Sequence, residues 1–166
     1  MSVNLLRELG ELVAVCGRAK HGEEVFGAVD ATLQRLVGHK LMTILVYDAA
    51  VTTATRVYSS DGTYPAGMRD PVASVVWADA VVRRGVPYVG NRLDDLQVVF
   101  DHHEKLAALG LGSVINLPVR RWDRTVGTLN LLHEEGHFVG VDLQRVALVA
   151  HFIACWLAPM PLEQAV

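Results

Sequence analysis

At the start of the sequence, apolar residues recur every three or four positions: Leu5, Leu6, Leu9, Leu12 and Val13, then Val25, Phe26, Val29, Leu33 and Leu36. That spacing predicts two amphipathic helices, with Gly38 as the stop of the second. KLMTILVYD is then short, β-branched and aromatic at its end, and ATRVYSS follows after a gap of small residues, as in a hairpin. Ser60 to Arg69, SDGTYPAGMR, is rich in glycine and proline and reads as loop. SVVWADAVVRRG carries Val75, Val76, Val81 and Val82 and closes on Gly85, which predicts a short helix. VPYVGN is a short extended piece, and Asp94 to Leu109 allows a helical turn or two before Gly110.

Ser113–Arg120 and Thr125–His133 both favour strand, flank the turn RWDR, and are expected to pair antiparallel. Helical spacing returns in VDLQRVALVAHFIACWLAPM through Leu143, Val146, Ala147, Ala150, Ile153 and Leu157, with Asp142 as N-cap. Val149, Phe152 and Trp156 add a second apolar face to this helix. A helix that is apolar on two sides needs two covers, so a homodimer through the terminal helices is expected.

Composition narrows the functions available. A chain of 166 residues, 51% hydrophobic, suits one domain with a proper core. A net charge of −3, with acids and bases mixed along the chain, gives no footprint for nucleic acid. No apolar run approaches the roughly 18 residues of a membrane span, so no membrane partner is expected. Cys16 and Cys155 sit far apart in apolar helical patterns, which suggests inert thiols and a cytoplasmic protein rather than a disulfide framework or a metal knuckle.

The strands hold the informative residues. Alternation puts Val114, Asn116 and Pro118 on one face, while Ile115, Leu117 and Val119 turn to the other. On the partner strand Val126, Thr128, Asn130 and Leu132 share a face, so Asn116, Thr128 and Asn130 are expected to project together. A buried carboxamide without a partner costs roughly 1–3 kcal/mol, so each other, water or a ligand must satisfy these groups.

The segment LGLGSVINLPVRRWDRTVGTLNLLHEEGHFVGVDLQRVALVAHFIA, with Pro118, Val119, Gly127, Phe138 and Asp142 at the telling positions, resembles the C-terminal half of a GAF domain. GAF domains are small-molecule sensor modules related to PAS domains. The order of elements is similar over nearly the whole chain, which reads as a single GAF unit: helices over 1–38, sheet and pocket roof over 41–133, and a last helix over 141–158. The resemblance implies an α+β fold, with a central antiparallel sheet, the terminal helices on one face and a roofed ligand pocket on the other. It also implies a sensor without an attached kinase, phosphodiesterase or DNA-binding output domain.

On that reading the pocket draws on Asn116, Thr128 and Asn130, on Tyr58 and Ser60 from the second strand, and on Tyr64 and Trp77 from the roof. Asn91 and Asp95 lie beside the roof and add possible hydrogen bonds. The parity of the first two strands is open: Thr43, Leu45 and Tyr47 share one face, and Arg56, Tyr58 and Ser60 are expected to share another. Arg56 would anchor a carboxylate or phosphate if it faced in, although an arginine on a second strand ordinarily meets solvent. The ligand is a small molecule of unstated identity, and no cofactor is expected. Bilin attachment, as in phytochromes, needs a cysteine near the roof, and none lies between Cys16 and Cys155. The alternative is a small enzyme of the same fold, with Asp95, His102 or His103 as acid or base. HEEGH, His133–His137, matches the HExxH zinc pattern, but that chemistry needs a helix and the preceding TVGTLNLL is strand-like. No metal site is expected.

Overall fold

The computed structural model describes residues 4–157, so the expected outer boundaries at residues 1 and 158 lie outside the described residues. Helix α1, Leu5–Arg18, begins at Asn4, whose side chain accepts from the Leu6 and Arg7 amides. Helix α2, Gly22–Leu36, begins with Glu24 reaching back to the Lys20 and His21 amides. The Asn4 cap satisfies amides that the first turn of α1 leaves free, and Glu24 answers two amides just ahead of α2. The predicted stop holds: Gly38 sits at φ +73° and donates to the Leu33 carbonyl. Buried Glu8 of α1 takes a hydrogen bond from Arg35 Nε of α2 at 3.0 Å, which ties the pair together.

Six antiparallel strands form one sheet: β1 Leu41–Tyr47, β2 Thr53–Ser59, β3 Arg69–Pro71, β4 Tyr88–Gly90, β5 Ser113–Arg121 and β6 Arg124–His133. Their spatial order is β3-β2-β1-β6-β5-β4. The fold is thus α+β, with β5 and β6 paired along their length as the sequence predicts. Their two-residue turn puts Trp122 at φ 49° and Asp123 at φ 59°, the mirror-image turn that matches strand twist. Strand β3 begins at Arg69, the last residue of the stretch read as loop, and runs on to Pro71, where the sequence predicts no element. It is a three-residue edge strand, where Pro71 interrupts no inner ladder.

One face of the sheet, through Met42, Ile44, Ile115, Leu117, Leu129 and Leu131, packs under α1, α2 and α6, Leu143–Ala150, which continues as a 3₁₀ turn, His151–Trp156. Asp142 caps α6 as expected, accepting from the Gln144 and Arg145 amides. Val149 is fully buried and Phe152 and Trp156 pack on the same core, so α2 of the same chain covers part of the second apolar face. Among the described residues no helix is long and apolar enough to cross a membrane.

The other face carries short elements: α3, Val75–Ala78, running into a π turn, Asp79–Arg83, then α4, Leu93–Gln97, and α5, His103–Ala108. The π turn, closed by Arg84 N–H to the Asp79 carbonyl, shifts the helical period. Trp77, Ala78, Val81 and Val82 are buried, while Val75 and Val76, in the first turn of α3, are exposed.

Two features of the sheet give testable consequences. A Cβ on Gly127 would stand 2.6 Å from the Leu45 carbonyl oxygen and 2.8 Å from Leu157 Cδ1. Gly127→Ala is expected to lower stability by about 1–3 kcal/mol, as overpacking does, measured by urea unfolding. Asp30 of α2 accepts from Tyr58 at 2.7 Å and from His39 at 2.6 Å. Burial pushes its carboxyl up, but the hydrogen bonds from His39 and Tyr58 outweigh burial and hold it below the ordinary aspartate value. Its stabilising contribution is therefore complete above about pH 4 and is lost as pH falls through the lower folded-state value. Asp30→Asn should flatten that part of the acid limb in thermal melts taken between neutral and strongly acidic pH.

Candidate functional site

Sheet register assembles the site. Thr43 on β1 lies opposite Asn130 on β6, Asn130 opposite Asn116 on β5, and Asn116 opposite Tyr88 on β4. Because residues directly opposite each other share a face, this makes one row across four strands on the roof side. Trp77 comes down from α3 and donates through Nε1 to Asn116 Oδ1 at 3.1 Å. Asn116 Nδ2 donates to Asn130 Oδ1 at 2.8 Å, and Asn130 Nδ2 to Thr43 Oγ1 at 3.3 Å. Both asparagines are 1% exposed, so these bonds stand in for water. The chain runs in one direction and ends at a hydroxyl that accepts and keeps its own proton to give. One row along, the Tyr47 hydroxyl meets Thr128 Oγ1 at 2.8 Å, and burial pushes the Tyr47 phenol up.

Beside this row is a cavity of about 140 Å³. That is room for about five waters, or for a molecule with a body about the size of benzene. Leu41, Leu45, Val72, Val99, Leu106 and Leu132 supply apolar wall, and Thr43, Asn116, Asn130, Arg56 and Tyr64 supply polar groups. Two small apolar clusters flank it, one around Tyr47, Trp77, Val81 and Val82, the other around Leu96, Leu106, Leu111 and Val114. At the mouth, His102 stacks on Tyr64 with ring centroids 6.2 Å apart and leans on Phe100 at 5.6 Å. Desolvation pushes the His102 imidazole down, so its neutral form is favoured at neutral pH.

No protein-family model matches the sequence, and no curated protein matches it. Solved structures do match in fold. The phycocyanobilin-bound GAF domain from a cyanobacterial phytochrome superposes with a TM-score of 0.72 at 19% identity, covering 100% of both chains. The GAF domain from a phosphoenolpyruvate-protein phosphotransferase of Coxiella burnetii gives 0.71 at 14% identity, covering 94% of this chain and 92% of that one. The chain has the GAF fold. The chromophore-binding domain of the bacteriophytochrome RpBphP3 from R. palustris gives 0.68 at 12% identity. There the match takes in 90% of this chain but 60% of the longer partner.

Within this GAF fold, Asn116, Asn130, Trp77 and Tyr64 line the cavity, and Thr128 lies on the same face, buried under its bond to Tyr47. Tyr58 and Ser60 do not reach it. A bulge is the reason: Ile44 pairs with Tyr58 but Leu45 pairs with Arg56, leaving Val57 as an extra residue on β2. Beyond the bulge the parity flips, so Tyr58 turns to Asp30 of α2, and Ser60 accepts from the Met42 amide on the helix side. The same bulge leaves Arg56 and Ala54 on the cavity face. Asn91 and Asp95 are also off the wall. Asp95 caps α4, accepting from the Asn91 and Arg92 amides, and Tyr88 donates to its carbonyl.

Of the acid–base candidates, His102 lines the cavity, while the His103 ring engages the Phe100 carbonyl and Asp95 is committed to its cap. HEEGH runs from the last residue of β6 into turns rather than a helix. His133 and His137 stack face to face at 3.5 Å, and His137 Nε2 donates to the Val37 carbonyl, a packing role. Arg56, Thr43, Leu45 and Tyr47 are wall residues that alternation alone left undecided.

The polar row predicts a coupled cost. Asn116→Leu strands both the Trp77 N–H and Asn130 Oδ1, so it should destabilise by about 1–3 kcal/mol in urea unfolding. Combining it with Trp77→Phe should cost less than the sum of the two single changes, because one unpaired donor disappears.

Proposed function

We propose that the chain is a small-molecule-binding sensory domain of the GAF type, with its ligand in the cavity between the sheet and α3–α5. The observation that carries this reading is a directed chain of buried side-chain hydrogen bonds that ends, at Thr43, on an unspent donor at a cavity wall. A tolerated polar core would close on itself. The GAF-fold neighbours support the reading, since one of them is bilin-bound. A covalently held bilin does not suit this chain: no cysteine lines the cavity, and Cys16 and Cys155 lie in α1 and in the 3₁₀ end of α6, on the opposite side of the sheet.

Signal passes if the ligand favours one packing of the short roof helices over another, because a ligand shifts an equilibrium only by its differential affinity for the two states. The outlet is a contact with a second copy or a partner through the terminal helices. Leu6 and Val13 of α1 and Leu148 of α6 stand exposed there, at 81%, 60% and 52%.

Thermal-shift screening of a metabolite library, followed by native mass spectrometry, tests the site. A bound molecule should raise the melting temperature of the parent protein and lose that effect in Ala54→Leu, which narrows the cavity without removing a polar group. No shift from any compound, with no retained mass, would sink the ligand-binding reading.

A further inference from the structure

Arg56 is the residue in the cavity whose chemistry is least complete. Its side chain is 10% exposed, and a buried guanidinium is retained at high cost unless its N–H groups are paired. Nη1 donates to the Pro65 carbonyl at 3.1 Å and Nη2 to Asp70 Oδ2 at 3.2 Å. Nε is buried without any partner. Asp70 is 47% exposed and meets the guanidinium through one nitrogen. A guanidinium fork suits two parallel bonds to one carboxylate, so this contact leaves half of the fork unused.

The neighbouring open groups are of the same kind. The Tyr64 hydroxyl is buried without a partner, and its ring lies 5.5 Å from the Arg56 guanidinium carbon and 5.4 Å from Lys105 Nζ. Thr43, whose hydroxyl proton is unspent, precedes Leu45 by two positions on β1, and Leu45 pairs with Arg56, so the two are diagonal neighbours on the cavity face. Each of the three has a hydrogen to donate. The remaining wall is largely aliphatic.

We infer that the cavity takes a small monocarboxylate with an apolar body, its carboxylate on the Arg56 fork and its hydrocarbon among Leu41, Leu45, Val99 and Leu132. This rests on the ligand-binding reading above. Size limits the body to about that of benzene, since the space is about 140 Å³. A planar anion of single charge fits better than a phosphate, because Asp70 and Asp101 also border the cavity and one guanidinium cannot offset a dianion beside them. Asp101 stands exposed at the rim, where water screens it. Asp70 then holds the place of the ligand's carboxylate. Its release on binding would remove one side-chain tie from β3, which stays paired to β2 and whose continuation through Val72 and Ala73 leads to α3 and Trp77, and so couples occupancy to the roof.

Calorimetric titration of the purified protein with matched probes tests this: isovalerate against isovaleramide, benzoate against benzamide, and inorganic phosphate. At least one acid should bind at least tenfold more tightly than its amide, and phosphate should bind more weakly than that acid. Arg56→Met should weaken acid binding at least tenfold. If that variant fails to fold, Asp70→Asn decides, because removing the internal competitor from an exposed position should tighten acid binding several-fold. Equal binding of acid and amide, phosphate binding as well as the acids, unchanged acid affinity in Arg56→Met, or no tightening in Asp70→Asn would each overturn the inference. Absence of acid binding beside a neutral library compound whose thermal shift vanishes in Ala54→Leu would overturn it alone and leave the cavity as a binding site. Silence of every compound would remove both.

Discussion

Carboxamides in the interior of a sheet must be answered by partners, and that requirement organises the roof side of this protein. Asn116 and Asn130 face each other across β5 and β6 and cannot reach bulk water. Their bonds fix where Trp77 sits, since its indole N–H is the donor that Asn116 Oδ1 receives. Trp77 in turn positions α3, and α3 with its π turn closes one flank of the cavity. Low local dielectric strengthens each bond and raises the cost of losing any one of them, so the row specifies one arrangement of strands and roof.

The two faces of the sheet differ in how completely they are filled. On the helix side Met42, Ile44, Ile115, Leu129 and Leu131 are sealed under two long helices and α6, with Gly127 admitting close approach of Leu45 and Leu157. On the roof side, short helices and loops bridge two separate apolar clusters and leave a gap between them. A face built this way gives up packing energy, because atoms bordering a void lose contacts on one side. Binding a molecule of the right shape would restore those contacts, which is why the gap and its unpaired donors belong to one functional reading.

Much of this architecture could be read from the residues in order. The helical periods of α1, α2 and α6, the caps at Gly38 and Asp142, the β5–β6 pairing around RWDR and the shared face of Asn116, Thr128 and Asn130 all follow from local rules of period, capping and alternation. Short elements were harder. β3 depends on an edge being available for Arg69–Pro71, and the π turn at Asp79–Arg83 departs from the regular helical period of a short apolar run. The helical layer likewise covers part of the second face of α6 from within the chain, through α2, a contact between segments distant in sequence.

The cavity wall marks the division most sharply. Sequence alone determined that polar side chains would meet inside the sheet, because alternation on two paired strands is a local property with a period of two. Which residues of β2 join them was decided by tertiary structure. A single extra residue, Val57, reverses every side chain beyond it, sending Tyr58 and Ser60 to the helices and leaving Arg56 on the cavity face. A bulge is set by how β2 packs against β1 and by what its side chains meet on either face, and that information resides in the assembled sheet rather than in the strand's own residues.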